Sequence, residues 1–245
     1  MDYKFKAEVK QVLDIVVNSL YTDREIFVRE LVSNAADASE KLRFTKLSSG
    51  GKIADDELKI TLSTDEKANT FTIEDRGIGM TSEELVANLG TSAHSGLQAL
   101  KENKSDLSEG LIGQFGVGFY SVFMVADKVD VYTKSENGGG LHWSCAGDEN
   151  FTIEDFDKPE RGTKIVATLK KEYSEFSKPA RIKEIVEKYS AYVDFPIYFG
   201  EEKIKTMQAI WLKAKSDITP EQYEDFYKFQ THSCDKPLDW RHFKA

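Results

Sequence analysis

Thr22-Asp23-Arg24-Glu25-Ile26-Phe27-Val28-Arg29-Glu30-Leu31-Val32-Ser33-Asn34-Ala35-Ala36-Asp37-Ala38 is the stretch that decides the architecture. Thr22 followed three residues later by Glu25 spells a capping box, the start of a helix. Phe27, Leu31, Ala35, Ala38 and Leu42 recur at helical spacing, so they form an apolar stripe that must face a core. The helix is predicted to run to about Leu47 and to stop before Ser48-Ser49-Gly50-Gly51. Glu30, Asn34 and Asp37 lie at i, i+4 and i+7 and share a second stripe beside the first. Carboxylate and amide groups at the edge of a buried face are costly unless they serve something. A carboxylate there can position and polarise a water molecule. An amide oxygen is a hard ligand suited to Mg2+, which takes few protein ligands. The same spacing also serves a helix flank that makes only local hydrogen bonds.

Outward from this helix the pattern alternates between elements. Val9, Val12, Leu13, Val16, Val17 and Leu20 have helical spacing, so a helix is predicted over residues 7–20. Residues 59–63 and 70–75 read as a hairpin around a polar turn. Thr81-Ser82-Glu83-Glu84 caps a short helix through Leu89. Residues 90–118 are rich in Gly and Ser with little periodicity, and such a long stretch is usually functional or mobile. An apolar helix is predicted over 117–125 and strands over 129–133, 141–145, 151–153 and 163–169. A last helix over 178–190 precedes a strand at 197–199. The texture changes after Gly200. Residues 1–206 are expected to form one domain and 207–245 the start of a second. Several helices and at least six strands, joined largely by hairpins, give an α+β fold: a mixed sheet with helices on one face.

Three further constellations could carry chemistry. In Asp75-Arg76-Gly77-Ile78-Gly79-Met80, Asp75 alternates with Phe71 and Ile73, so it points to their buried side and needs a donor. The glycines let backbone approach a flat ligand, and a purine amino group is a fitting partner. A plain Asp-x-Gly turn would read the same way. Gly110-Leu111-Ile112-Gly113-Gln114-Phe115-Gly116-Val117-Gly118-Phe119 leads into a helix, where free N–H groups can cradle phosphate. It is neither a Walker A sequence nor a dinucleotide fingerprint. Arg161-Gly162-Thr163-Lys164 heads a strand; Thr163 could bond a base directly or through water, and by itself this is a β-turn.

The bulk numbers narrow the class. Over 245 residues, 33 basic side chains face 42 acidic ones, for a formal net charge of -9. That balance argues against a broad nucleic-acid-binding face. Cys145 and Cys234 stand far apart, outside any CxxC or Cys/His cluster, and read as free thiols of a reducing compartment. The four histidines lack zinc-ligand spacing. No signal peptide or long apolar run is evident, so a cytoplasmic protein without a membrane segment is expected.

The order of the pieces matches the ATPase superfamily of gyrase, heat-shock chaperone, histidine kinase and MutL-type proteins. Within it, residues 21–38, Asn88-Leu89-Gly90-Thr91 and Gly113-Gln114-Phe115-Gly116-Val117-Gly118-Phe119-Tyr120-Ser121 closely resemble the ninety-kilodalton heat-shock-protein family. Ala209-Ile210-Trp211 and Trp240-Arg241-His242-Phe243 look like the start of that family's middle domain. No long charged linker separates residues 200 and 208, which is similar to the bacterial or organellar branch. The resemblance implies a two-layer α/β sandwich that binds ATP or ADP with Mg2+. By motif, Glu30 is similar to the general base and Asn34 to the Mg2+ ligand. Asp75 resembles the adenine reader, with Gly79, Met80 and Thr163 lining the base pocket. Asn88 and Gly113, Gln114, Phe115, Gly116, Val117, Gly118 and Phe119 resemble the sugar and phosphate contacts. Asp37, Ala38, Leu89, Ser95 and Gly96 complete the implied nucleotide set, and residues 90–118 resemble a lid.

The resemblance also implies unfolded or partly folded client proteins and a homodimer formed through a C-terminal domain. Ansamycin- or radicicol-type inhibitors of the ATP pocket would follow, with no nucleic acid or membrane partner. An arginine from the middle domain is implied for full turnover, so weak hydrolysis is expected from these residues alone. Two positions depart from the family: His94 stands where a Lys or Arg is usual and Ser92 where an Ile is usual. Three rival classes share parts of the pattern. A gyrase- or MutL-type DNA ATPase conflicts with the acidic balance. A histidine kinase usually has asparagine where Glu30 stands. A non-catalytic interaction module would have no need of Glu30, Asn34 and Asp75.

Overall fold

The computed structural model describes residues 2–4, 23–91, 118–147, 150–204, 210–212, 214–231 and 235–243. The helix expected over 7–20 and almost all of the glycine-rich 90–118 stretch lie outside them. The chain order is β1 (Asp2–Lys4), α1 (Ile26–Ser48), β2 (Ile60–Asp65), β3 (Thr70–Glu74), α2 (Ser82–Leu85), β4 (Ala126–Lys134), β5 (Gly140–Cys145), β6 (Asn150–Asp155), β7 (Gly162–Leu169), α3 (Pro179–Tyr189), β8 (Ile197–Phe199), β9 (Glu202–Lys203) and α4 (Pro220–Thr231). Short 3-10 turns cover Asp55–Leu58, Gly118–Met124 and Lys171–Ser177. Among the described residues no helix is long and apolar enough to cross a membrane.

The strands form one sheet in the order β1-β6-β5-β4-β7-β3-β2-β8-β9. Every pairing is antiparallel except β2 with β8, so the sheet is mixed, as the hairpin-rich sequence predicts. Alternation sets which side chains face the helices. Phe71 and Ile73 of β3, Val129 and Val131 of β4, Trp143 and Cys145 of β5 and Ala167 and Leu169 of β7 are all buried. α1 lays Phe27, Leu31, Ala35 and Leu42 on that face, as its stripe requires. α3 adds Ile182, Ile185 and Val186. Helices therefore cover one face of the sheet, in the α+β arrangement expected.

The capping box expected at Thr22-Asp23-Arg24-Glu25 rests on Thr22, which lies outside the described residues. The Glu25 N–H donates to Asp23 Oδ1 at 3.0 Å, and the Glu25 carboxylate pairs with Arg181 and Lys188, with Lys188 Nζ at 3.0 Å. One local expectation changes. The apolar run expected as a helix over 117–125 is a 3-10 turn, Gly118–Met124, in which every residue is buried. The capping box at Thr81 is present, with Glu84 closing the reciprocal bond.

Phe27 joins the two layers. It is fully buried, edge-on to Phe71 of β3 at 5.4 Å and to Phe176 at 5.2 Å. Phe27→Ala is expected to cost about 3–5 kcal/mol, read from urea unfolding of the purified chain.

Candidate functional site

Between α1 and the sheet lies a cleft of about 330 Å³, in the range that holds small molecules. α1 supplies one wall through Leu31, Asn34, Ala35, Asp37, Ala38 and Lys41. The sheet supplies the floor through Ile73, Val131, Ile165 and Thr163, and their neighbourhood is fixed by register: Val131 faces Ile165, which also faces Ile73. Ile78, Gly79, Met80, Glu84, Asn88 and Leu89 form the rim, and Phe119 closes one side. The interior is thus largely apolar, with a few polar groups aimed into it.

Asp75 is the most constrained of those groups. Its side chain leaves the end of β3 on the buried side, and only 6% of the residue is exposed. Gly77 N–H donates to Oδ1 at 2.8 Å and Thr163 N–H to the same oxygen at 3.3 Å. The two backbones also exchange bonds: Asp75 N–H donates to Thr163 O at 2.8 Å and Thr163 N–H to Asp75 O at 3.2 Å. Thr163 Oγ1 sits 3.0 Å from Thr133 Oγ1, which accepts Met80 N–H at 3.0 Å. Burial pushes the Asp75 carboxyl up to about 7, against the opposing pull of the Gly77 and Thr163 N–H groups and the Lys158 charge.

The backbone beside Asp75 fits only glycine at two points. A side chain on Gly77 would overlap Ala38 of α1, whose carbonyl accepts Ile78 N–H at 3.1 Å. Gly79 has φ +67°, and a Cβ there would run into the Lys134 carbonyl. The loop therefore packs backbone-to-backbone against α1 on one side and β4 on the other.

Glu30 lies apart from the residues that line the cleft. It is 7% exposed, and Arg29 Nε and Nη2 both donate to its Oε1, at 3.2 and 2.9 Å. Its Oε2 stands against the backbone of Gly118, where a Cβ would overlap it. Gly118 precedes Phe119, which does line the cleft. Glu30 thus has one oxygen held and one turned toward the start of the Gly118–Met124 turn. Asn34 and Asp37, one and two turns on, are exposed on the cleft wall.

The structure brings Asn34, Asp37, Ala38, Asp75, Gly79, Met80, Asn88, Leu89, Phe119 and Thr163 to one cavity, with Glu30 and Gly118 beside it. Ser95, Gly96, Gly113, Gln114, Phe115, Gly116 and Val117 lie outside the described residues, as do Ser92 and His94. Sequence reasoning missed Thr133, which ties Thr163 to Met80, and the floor residues Val131 and Ile165. Their inward alternation on β4 and β7 was the available signal. It also missed Lys41, although Lys41 extends the Glu30, Asn34, Asp37 stripe by one more turn.

The model of the family described as histidine kinase-, DNA gyrase B-, and HSP90-like ATPase matches residues 11–176. That described as Hsp90 protein matches residues 199–245. The chain is 50% identical to the chaperone protein HtpG of Chlorobium phaeovibrioides over 248 residues, which cover 98% of this chain and 39% of that protein. It is 48% identical to the chaperone protein HtpG of Desulfitobacterium hafniense, covering 99% and 41%. It is 45% identical to the mitochondrial heat shock protein 75 kDa of Rattus norvegicus, covering 99% and 35%. The chain spans about two fifths of the length of the HtpG proteins it matches.

A raised carboxyl pKa has a stability consequence of fixed sign. Asp75 titrates near 3.8 when unfolded and near 7 when folded, so folding favours its protonated form. Its contribution is fully present below pH 3.8 and is lost as pH rises through about 7. Asp75→Asn removes the titration. The stability of the variant relative to wild type should grow between pH 4 and 8 by on the order of 4 kcal/mol and then level off. Chemical unfolding at a series of pH values measures it; a constant difference would contradict the burial argument.

Proposed function

Because the chain belongs to the histidine kinase-, DNA gyrase B- and HSP90-like ATPase family, on its Hsp90 branch, we propose that these residues form the ATP-binding part of a molecular chaperone. The observation that carries this reading is the buried Asp75 carboxylate, held by two backbone N–H groups at the end of an apolar slot. An ionised carboxylate there accepts an N–H bond and donates none, which suits the exocyclic amino group of adenine. Thr163 lies beside it for a ring nitrogen, directly or through water. Gly79 and Met80 pack along the ring. Asn88, Leu89 and Phe119 flank the sugar end, with Asp37 and Ala38 on the helix wall. Gly113 to Gly118, with Ser95 and Gly96, are assigned to the phosphates on the resemblance of their motifs.

Glu30 is assigned as the general base. Arg29 occupies Oε1 and leaves Oε2 to take a proton from an attacking water. Asn34 is the Mg2+ ligand in this reading. A lone amide oxygen on the cleft wall fits an ion that keeps most of its waters and takes few protein ligands. Bound there, Mg2+ supplies charge neutralisation on the phosphates.

Residues 1–206 are proposed as the nucleotide domain and 207–245 as the first part of the next. Client proteins, a homodimer and inhibition by ansamycin- or radicicol-type compounds belong to the longer protein of which the HtpG relatives are examples. The cytoplasm is the proposed compartment, with the mitochondrial relative as the alternative precedent. Hydrolysis by the 245 residues alone is expected to be slow. The family resemblance assigns one phosphate-binding arginine to a further domain, and such charge stabilisation is a large part of catalysis.

The test is calorimetric titration of Mg-ADP. Wild type is expected to bind and Asp75→Asn to show no measurable heat; a wild type that is folded but silent sinks the reading. Glu30→Ala is expected to keep ADP binding within about twofold while ATP turnover falls by about 10²–10⁴, measured by single-turnover phosphate release.

A further inference from the structure

Arg161 was legible in the sequence only as part of a turn before a strand. In the fold its guanidinium reaches across to the loop that follows β3. Nε donates to Gly77 O at 3.1 Å and Nη2 to Arg76 O at 3.4 Å. The side chain is one-quarter exposed, so both bonds are made partly out of water. A rigid planar fork that spans two successive carbonyls fixes the orientation of both peptide units, which a point charge does not. The opposite side of the same loop rests on α1, where Gly77 touches Ala38 and Ile78 N–H bonds its carbonyl. The loop is thus gripped from two sides. Two residues beyond Arg161, Thr163 makes the backbone exchange with Asp75.

A second contact orients Arg161 itself. Its Nη1 lies 4.0 Å from Glu136 Oε1 in the β4–β5 turn. Glu136 also pairs with Lys46 in the last turn of α1. Glu136 is exposed, so these pairs are screened by salt and contribute little to overall stability. They do link the three elements around this end of the cleft: the end of α1, the β4–β5 turn and the start of β7.

We propose that Arg161 is a positioning residue for the base-reading end of the cleft. By holding the Arg76 and Gly77 carbonyls it keeps the loop from Asp75 to Gly79 in the shape that aims the Asp75 carboxylate inward, and the Lys46–Glu136 pair steadies it there. The proposal rests on the nucleotide reading above. It differs from a surface-turn role because it couples a residue outside the cleft lining to base selectivity.

Two measurements on the 245-residue chain test it. The first uses no nucleotide: amide hydrogen exchange by NMR in wild type, Arg161→Ala and Arg161→Lys. In Arg161→Ala, protection of the Gly77 and Ile78 amides should fall about tenfold, with β4 and β7 amides unchanged. Lysine, which can reach one carbonyl but lacks the fork, should restore part of it. The second is calorimetry with ADP and with inosine diphosphate, which carries a keto group in place of the 6-amino group. Arg161→Ala should weaken ADP by about tenfold and narrow the preference for ADP. Unchanged loop protection, or a loss spread evenly over the sheet, overturns the proposal. A loosened loop with undiminished ADP preference also overturns it. If wild type binds neither nucleotide while the loop loosens in Arg161→Ala, the positioning role stands and the nucleotide reading falls.

Discussion

The structure hangs on the seam where β3 ends and β7 begins. Asp75 and Thr163 exchange backbone hydrogen bonds there, and the Thr163 N–H also reaches the Asp75 carboxylate. That seam fixes the chain just before it must leave the sheet. The loop can then turn back onto α1 without losing register, and the carboxylate is delivered into an otherwise apolar slot. A buried acid is a poor choice for stability, since desolvation works against its charge. Here the local backbone supplies only part of what the group lost from water. The remaining acceptor capacity faces the cavity, where a ligand with a matching donor can complete it.

The two acids of the region are held by different means, and the difference suits different work. Asp75 is fixed by backbone groups that cannot move without disrupting the sheet. Glu30 is fixed by the side chain of its own neighbour, Arg29, and by contact with Gly118. The first arrangement gives a rigidly held acceptor. The second leaves a carboxylate whose partner can swing on a flexible stem, beside a turn that leads directly out of the glycine-rich segment. Under the proposed reading, recognition by Asp75 in the cleft and reactivity at Glu30 beside it would be separated, with α1 spanning the distance between them.

How much of this the sequence disclosed depends on distance along the chain. The stripes of α1, the side to which Asp75 points and the strand at residues 163–169 follow from periodicity within a few residues, and periodicity reports local geometry faithfully. The pairing of Glu25 with Arg181 and Lys188 left no local trace because both cations lie far away in sequence. Arg161 and Glu136 gave no signal for the same reason: a fork reaching a carbonyl from a distant segment leaves no local pattern. β1 and β9 are too short to show alternation. α4 lacks a single buried residue among those described, so it has no strong stripe to announce it. Thr133 was hidden in a strand that read as ordinary alternation, although its hydroxyl joins Thr163 to Met80.

The order of the strands carries one more implication. The cleft is built on β4, β7 and β3, the middle three of the nine strands among the described residues. On one flank β5 and β6 separate it from the β1 edge; on the other, β2 and β8 separate it from β9. Sheet edges present unpaired N–H and C=O groups and are where other chains attach or strands peel away. Any such event has two full strands to cross before it reaches the cavity floor. The flanks work as fenders: an edge can gain or shed a neighbour while the floor beneath the cleft keeps its geometry. The helical layer has no such buffer: α1 itself forms one wall of the cleft, so a shift of that helix reaches the cavity directly.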